Sequence, residues 1–305
     1  MQNKDLLSIT DLSAAETLKI IHRARQIKAE GAGNCLAGKN IALLFEKPSL
    51  RTRASFQVGI NQMGGYSFYL GQQDVGLGTR EPVSDVARVL SGYVDCIIAR
   101  VSSHDHLVEL GRYASVPVIN ALSDWEHPCQ TISDLLTIAE YKGTLEGLKL
   151  AFIGDANNVS RSLCLGLPPV GVSFAIASPT GYNLDEASLK LAHQRAATRE
   201  VQVLSLGDPA EAVKNADIVY TDTWISMGQE AETIARRRAF QGYNVDPARL
   251  SQAKPDALFM HDMPAHYGEE VPPGMLEHPQ SVAFVQGHNR LHAQKALLEF
   301  MLGGK

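Results

Sequence analysis

Long apolar runs are missing from this 305-residue chain. No stretch approaches the roughly 18 apolar residues of a membrane-spanning helix, so no membrane role is expected. Residues 1–8 lack an extended apolar core, so no secretory signal is read there and a cytoplasmic protein is expected. Cysteine is sparse: Cys35, Cys96, Cys129 and Cys164 stand at unrelated spacings. A chain long enough to bury a large core needs no disulfide staples, and all four are read as thiols. No C-x-x-C or H-E-x-x-H pattern occurs, which leaves a structural zinc or zinc-peptidase centre without support. Basic charge is not in excess either. A formal net charge of −5 and a pI near 6.1 argue against nucleic acid or an anionic membrane as the main partner.

What remains is an ordinary globular composition, 45% hydrophobic and 20% charged, on a chain long enough for two domains. Apolar runs at 40–45, 66–70, 95–99 and 116–120 read as strands alternating with helical patterns. A second alternating series comes after them, with strands at 148–153, 172–177, 201–205, 217–220 and 257–260. Such alternation predicts parallel sheets covered on both faces. The expected fold class is α/β, with two doubly wound parallel-sheet domains joined by interdomain helices. The boundary falls in the polar stretch 142–147, giving domains of 1–142, with a C-terminal helix 289–305 returning to it, and 147–288.

The densest chemistry lies in Ser49-Leu-Arg-Thr-Arg53. It reads as the turn between strand 40–45 and a helix over 54–63, where Phe56, Ile60 and Met63 recur at helical spacing. A helix start offers unpaired N–H groups and a positive dipole end, and Ser49, Arg51 and Thr52 add donors to it. The plainer reading is an N-cap serine followed by solvated arginines. Two arginines and two hydroxyls in one turn of an acidic protein favour a small anionic ligand. Arg100, at the carboxyl end of strand 95–99, is a second arm toward that anion, with a surface arginine as the alternative. His127-Pro-Cys-Gln130 opens a further helix and places His127 and Gln130 at another positive terminus, where a capping histidine is the competing reading.

In the second half, 154–158 stands where a dinucleotide-binding fold carries its glycine fingerprint, and the fingerprint is absent. Strand 172–177 ends in Ser178-Pro179 rather than in an acidic residue, so no nicotinamide cofactor is expected. Asp222 and His261-Asp262-Met263-Pro264 come after later strands and face one crevice with Asn158 in a doubly wound sheet. Residues 221–244 read as a long polar lid loop, with Arg236-Arg237-Arg238 solvated. Gly287–Arg290 is read as lying ahead of the last helix.

Taken in order, Ser49–Arg53, Arg100, His127–Gln130, Asn157-Asn158, Asp222-x-x-x-Ser226-Met227-Gly228, His261-x-x-Pro264 and Asn289-Arg290 resemble the carbamoyltransferases, and among them the ornithine type. The Ser-Met-Gly element sets that type apart from the aspartate and putrescine types. The resemblance implies that carbamoyl phosphate is bound by Ser49, the Leu50 N–H, Arg51, Thr52, Arg100, His127, Gln130 and Arg290. It implies that Asn158, Asp222, Ser226 and Met227 hold the amino-acid end of ornithine. The backbone carbonyls of Asp262 and Met263 would take the carbamoyl NH₂, and Arg53 would be structural. Arg100, His127 and Thr52 are the donors suited to the tetrahedral oxyanion, and no metal or cofactor is required. Closure of the two domains with the 221–244 loop would expel water. Family members are trimers or assemblies of trimers, so a homotrimer or a multiple of trimers is expected.

The chain departs from the family at four places. Asp262 replaces the cysteine of the usual His-Cys-Leu-Pro; an aspartate there either favours the unreactive ammonium or accepts its proton, which adds Asp262 to the catalytic set. Asp74 stands where relatives carry Gln or His reaching a neighbouring subunit's phosphate, and His288 replaces a common glutamate. Pro168-Pro169 shortens the helix after Asn158. These changes keep two other readings in play: a carbamoyltransferase for another diamino acid, and a catalytically weak paralogue that binds metabolites.

Overall fold

The computed structural model describes residues 5–196, 199–226 and 228–303. In chain order the elements begin with α1 (Ala14–Glu30), β1 (Asn40–Phe45), α2 (Leu50–Gln62), β2 (Tyr66–Gly71) and α3 (Gln72–Val75). They continue with α4 (Val83–Ser91), β3 (Cys96–Arg100), α5 (His104–Tyr113), β4 (Val118–Leu122) and α6 (Pro128–Lys142). The second series is β5 (Lys149–Ile153), α7 (Asn158–Gly166), β6 (Ser173–Ala177), α8 (Glu186–Ala196), β7 (Val203–Leu206), α9 (Pro209–Val213) and β8 (Ile218–Thr221). It ends with α10 (Thr233–Ala239), α11 (Pro247–Leu250), β9 (Leu258–His261) and α12 (Ala283–Leu302).

The chain divides into two compact units. One takes the residues up to Leu136 together with His288 onward, and the other takes Thr137–Gly287. Both changes of unit therefore fall inside helices, α6 and α12. In the first unit the sheet order is β2-β1-β3-β4, and in the second it is β7-β6-β5-β8-β9. Every named pair is parallel, so each sheet is wound outward in both directions from its first strand, β1 or β5. Ile41–Phe45 and Cys96–Arg100 are buried without alternation, as expected of strands covered on both faces.

Register decides which strand ends become neighbours. Phe45 lies opposite Arg100 across the β1–β3 pair, so the chain leaving β1 toward Ser49 emerges beside the arginine that ends β3.

Several elements differ from the sequence reading. Helix α2 begins at Leu50, four residues earlier than the apolar period suggests, because Ser49 is its N-cap: Ser49 Oγ accepts from the Thr52 N–H at 3.3 Å, and the Ser49 carbonyl from the Arg53 N–H at 3.2 Å. The apolar period starts only at Phe56, so it misses the first helical turn. Helix α5 is absent from the sequence reading; among its residues only Leu107 and Leu110 are buried, too few for a clear period. Residues 221–244 are not an unstructured loop, since they contain a 3₁₀ turn at Glu230–Glu232 and α10. Gly287–Arg290 lie within α12. Gly287 packs there against the end of the Met263 side chain, whose Cε would sit 2.9 Å from an added Cβ. Helix α7 stops at Gly166, and Pro168–Val170 form a 3₁₀ turn, as the two prolines require.

Arg236 is a correction of chemistry as well as of structure. It is buried, not solvated, and its Nη1 donates to Asp155 Oδ2 at 2.8 Å and to the Trp224 carbonyl at 3.1 Å. Its Nε donates to Glu232 Oε2 at 2.8 Å, and its guanidinium lies 5.0 Å from the Tyr182 ring centroid. Removing one partner of a buried ion pair strands the other charge, which costs about 3–5 kcal/mol. Arg236→Ala should therefore lose about that much in equilibrium denaturation; a loss below about 1 kcal/mol, the range of an exposed pair, would refute this role.

Candidate active site

In the first unit several of the residues expected to hold an anion are wired to one hydroxyl. Thr52, in the first turn of α2, accepts from Arg290 Nη2 at 2.6 Å and from Arg100 Nη1 at 3.4 Å. Arg290 Nη1 donates to Gln130 Oε1 at 2.8 Å, and Gln130 Nε2 donates to Asp134 Oδ1 at 2.8 Å. Thr52, Arg100, Gln130 and Arg290 are all buried. A hydroxyl that accepts twice still has its own hydrogen to give, and the Thr52 Oγ1 hydrogen can go to an oxygen of a bound anion.

His127, immediately before α6, is buried beside the same residues. Burial, and then the charges of Arg290, Arg100 and Arg51, hold its pKa well below the ordinary histidine value. The ring is neutral at physiological pH. A neutral imidazole can still donate one hydrogen bond to a carbonyl that is gaining negative charge, without supplying a mobile proton of its own. Ser49 is the N-cap of α2, Arg51 is half-buried in its first turn, and the Leu50 side chain is 82% exposed, so Leu50 can serve the site only through its backbone. Arg53 turns elsewhere, its guanidinium 3.9 Å from the Tyr69 ring centroid and its Nε donating to Gln57 Oε1 at 3.0 Å. The Asp74 carboxylate is engaged within the chain, accepting from the Gly71 N–H at 2.6 Å at the start of α3.

The second unit gathers carboxylates where the first gathers guanidiniums. Asp222 comes directly after β8 and accepts from Asn157 Nδ2 at 2.7 Å. The Asn157 side-chain oxygen meanwhile caps α7, accepting from the N–H groups of Val159 and Ser160. Asn157 is thus the link between a helix start and Asp222, while Asn158 occupies the first position of α7. Burial, and then the nearby charge of Asp262, raise the Asp222 carboxyl to a pKa of about 7. Ser226 belongs to a turn in which its N–H donates to Gln229 Oε1 at 3.0 Å, and Gly228 adopts a φ of 97°. Met227 lies outside the described residues.

The segment 261–264 is held by a chain of bonds that the sequence does not disclose. The His261 N–H donates to Gln286 Oε1 at 2.9 Å, and Gln286 Nε2 donates to the Tyr220 hydroxyl at 2.8 Å. His261 Nδ1 accepts from the Met263 N–H at 2.8 Å, so the ring proton is on Nε2, which donates to Glu270 Oε1 at 3.2 Å. Met263 adopts a φ of 61°, a left-handed conformation uncommon for a side-chain-bearing residue, and the bond to His261 helps hold it. No sequence signal marks Glu270, nine residues beyond His261, or Gln286 in the final helix as partners of this segment.

These two arrangements define the class: an α/β protein with buried guanidiniums gathered around Thr52 beside one parallel sheet and the carboxylates of Asp222 and Asp262 beyond the strand ends of another. The aspartate/ornithine carbamoyltransferase carbamoyl-P binding domain model matches residues 4–140, and the Asp/Orn binding domain model of the same family matches residues 146–301. The chain is 46% identical over 308 residues to an ornithine carbamoyltransferase of Thermococcus kodakarensis, covering 100% of this chain and 98% of that one. The structure of ornithine carbamoyltransferase from Pyrococcus furiosus superposes with a TM-score of 0.96 at 46% identity, covering 99% of this chain and 98% of the other. An acetylornithine transcarbamylase complexed with acetylcitrulline superposes with a TM-score of 0.90 at 30% identity, covering 99% and 100%. This chain belongs to the aspartate/ornithine carbamoyltransferase family.

The Asp222–Asp262 neighbourhood gives a pH test. An unfolded aspartate releases its proton near pH 4, whereas Asp222 in the fold keeps its proton to about 7. Between those values the folded protein holds the extra proton, so stability falls as pH rises through this window, and the cost is complete above it. Asp262→Asn removes one cause of the shift. It should raise the unfolding temperature at about pH 8, with the gain disappearing toward pH 4; an equal gain at both pH values, or a loss at pH 8, would contradict the assignment.

Proposed function

We propose that this protein transfers the carbamoyl group of carbamoyl phosphate to the side-chain amine of L-ornithine, giving L-citrulline and phosphate. The observation that carries the reading is the buried Thr52–Arg290–Arg100–Gln130 network beside a neutral His127, on a chain of this family. In this proposal residues 1–142, with the returning helix 289–305, bind carbamoyl phosphate, and residues 147–288 bind the amino acid.

The chemistry is set by the charges. Ser49, the Leu50 N–H, Arg51, Thr52 and Arg290 neutralise the phosphate and hold it as it departs, aided by the dipole of α2. Arg100, His127 and Thr52 donate to the carbonyl oxygen as it becomes an oxyanion, and Gln130 orients Arg290. Loss of one such donor typically costs about 3–4 kcal/mol of transition-state stabilisation. Ionised Asp222, with Asn158, Ser226 and Met227, holds the α-ammonium and α-carboxylate of ornithine. The carbonyls of Asp262 and Met263 accept from the carbamoyl NH₂. The attacking amine must shed a proton before its lone pair is available, and the Asp262 carboxylate, in place of the family cysteine, accepts it. The protein works as a homotrimer or a multiple of trimers in the cytoplasm. Its place is in arginine biosynthesis, in keeping with the word anabolic in the name of the Pyrococcus furiosus relative.

A second reading, another diamino acid as acceptor, is favoured by Asp262 and by the likeness to an acetylornithine transcarbamylase. Assaying citrulline and phosphate formation with ornithine, its shorter and longer homologues and N-acetylornithine separates the readings. A clear ornithine preference supports the first. Preference for another amine replaces it with the second, and ligand-induced stabilisation without turnover on any of them points to a metabolite-binding paralogue. Within the first reading, Asp222→Asn should raise the KM for ornithine by about 10- to 100-fold, the value of a charge-assisted hydrogen bond, and leave that for carbamoyl phosphate unchanged. An equal rise in both constants would remove Asp222 from the amino-acid site.

A further inference from the structure

The turn just beyond the 261–264 segment carries a cluster in which only Glu270, as the partner of His261, has a part so far. Tyr267 and Val271 pair across a tight turn in which the Gly268 N–H donates to the Val271 carbonyl at 2.8 Å and the Glu269 N–H to the His266 carbonyl at 3.0 Å. This folding brings one ligand atom each from His266, Glu269 and Glu270 to within 4.8 Å of one another. His266 is exposed, Glu269 half-buried and Glu270 fully buried.

We propose that His266, Glu269 and Glu270 form a binding site for a first-row divalent cation, with zinc as its best-suited occupant. The first argument is the buried carboxylate. Glu270 Oε1 accepts from the His266 N–H at 2.5 Å and from His261 Nε2, whereas Glu270 Oε2 is buried with no hydrogen-bond partner among the described residues. Glu269 repeats the pattern: Oε1 accepts from Arg237 Nη2 at 2.6 Å and from Arg237 Nε at 3.0 Å, while Oε2 is buried and has no hydrogen-bond partner among the described residues. A carboxylate oxygen out of water and without a partner is costly, and a cation removes that cost.

The second argument is the tautomer of His266. The Thr223 hydroxyl can give its one hydrogen to the Ile225 carbonyl at 3.1 Å, and in that arrangement its contact at 2.9 Å with His266 Nδ1 has the ring nitrogen as donor. With the proton on Nδ1, Nε2 presents a lone pair to a cation. An imidazole ligand whose other nitrogen donates to a fixed acceptor is the usual arrangement around a bound metal. One imidazole and two carboxylates suit zinc in a tetrahedral set whose fourth position is water; magnesium and calcium prefer all-oxygen sets. Tetrahedral ligands at about 2.1 Å from the ion are about 3.4 Å apart, so closing the cluster needs a movement of order 1 Å, available to the exposed His266 ring. Arg237 lowers the net negative charge but bonds only Oε1 of Glu269, so the Oε2 atoms of Glu269 and Glu270 keep their lone pairs.

The test is calorimetric titration of the full-length chain with zinc chloride, in a Cys35→Ser background so that the half-buried thiol does not compete. The expected result is one zinc per chain, with affinity lowered at least about tenfold by His266→Ala and by Glu269→Gln, and about 10- to 100-fold by Thr223→Val, which removes the acceptor that fixes the tautomer. The same three variants should lose the visible absorption of a cobalt-substituted protein. Absence of saturable zinc binding, or binding unaltered in both His266→Ala and Glu269→Gln, would overturn the proposal. The readout is binding rather than turnover, so its outcome stands apart from that of the transferase reading.

Discussion

The hydroxyl of Thr52 is the point on which the first unit is organised. Two guanidiniums, Arg100 from the end of β3 and Arg290 from α12, donate to it, and Gln130 holds the second of them from α6. Four separate stretches of chain must converge here, and the β1–β3 register meets part of that demand by setting Phe45 opposite Arg100. Gathering cations in a buried place costs free energy unless their charge finds a partner. The depressed pKa of His127 shows the fold meeting that cost in part, because the imidazole gives up its own charge under burial and the field of the arginines. What is left is a positively charged set of donors whose natural complement is an oxyanion.

The second unit applies the same physics with the sign reversed. Asp222 and Asp262 are close enough that one raises the pKa of the other, an arrangement that a cationic amino group relieves. Asn157 joins this carboxylate to the start of α7, and the bonds from Tyr220 through Gln286 to His261 and on to Glu270 fix the backbone on which Asp262 and Met263 stand. Precise placement here comes from polar partners more than from packing. Those partners are contributed by β8, the turn after β9 and α12.

Much of this is legible in the sequence for a simple reason: parallel strands buried on both faces are continuous apolar runs, and Asn40–Phe45, Lys149–Ile153 and Ser173–Ala177 differ from the expected spans by no more than a residue at one end. The residue types at strand ends are legible too, since Ser49, Arg100, His127 and Asp222 are conspicuous against their neighbours. The failures share a cause, which is that the deciding partner lies outside the local apolar pattern. Arg236 reads as a solvated cation until Asp155, 81 residues earlier, is placed beside it. Gly287–Arg290 read as lying ahead of the last helix, whereas they fall inside it. The start of α2 is misread because its first turn is fixed by a serine cap rather than by apolar period.

The central claim is that the N-terminal turn of α2 and the arginines around Thr52 grip a phosphorylated carbamoyl donor. Calorimetric titration of carbamoyl phosphate into the wild-type protein and into Arg51→Ala tests it most directly, because Arg51 is only half-buried and the two bonds that Thr52 accepts come from Arg100 and Arg290. The account predicts saturable binding to the wild type, weakened at least about tenfold in the variant. Equal affinity in the two proteins would contradict it.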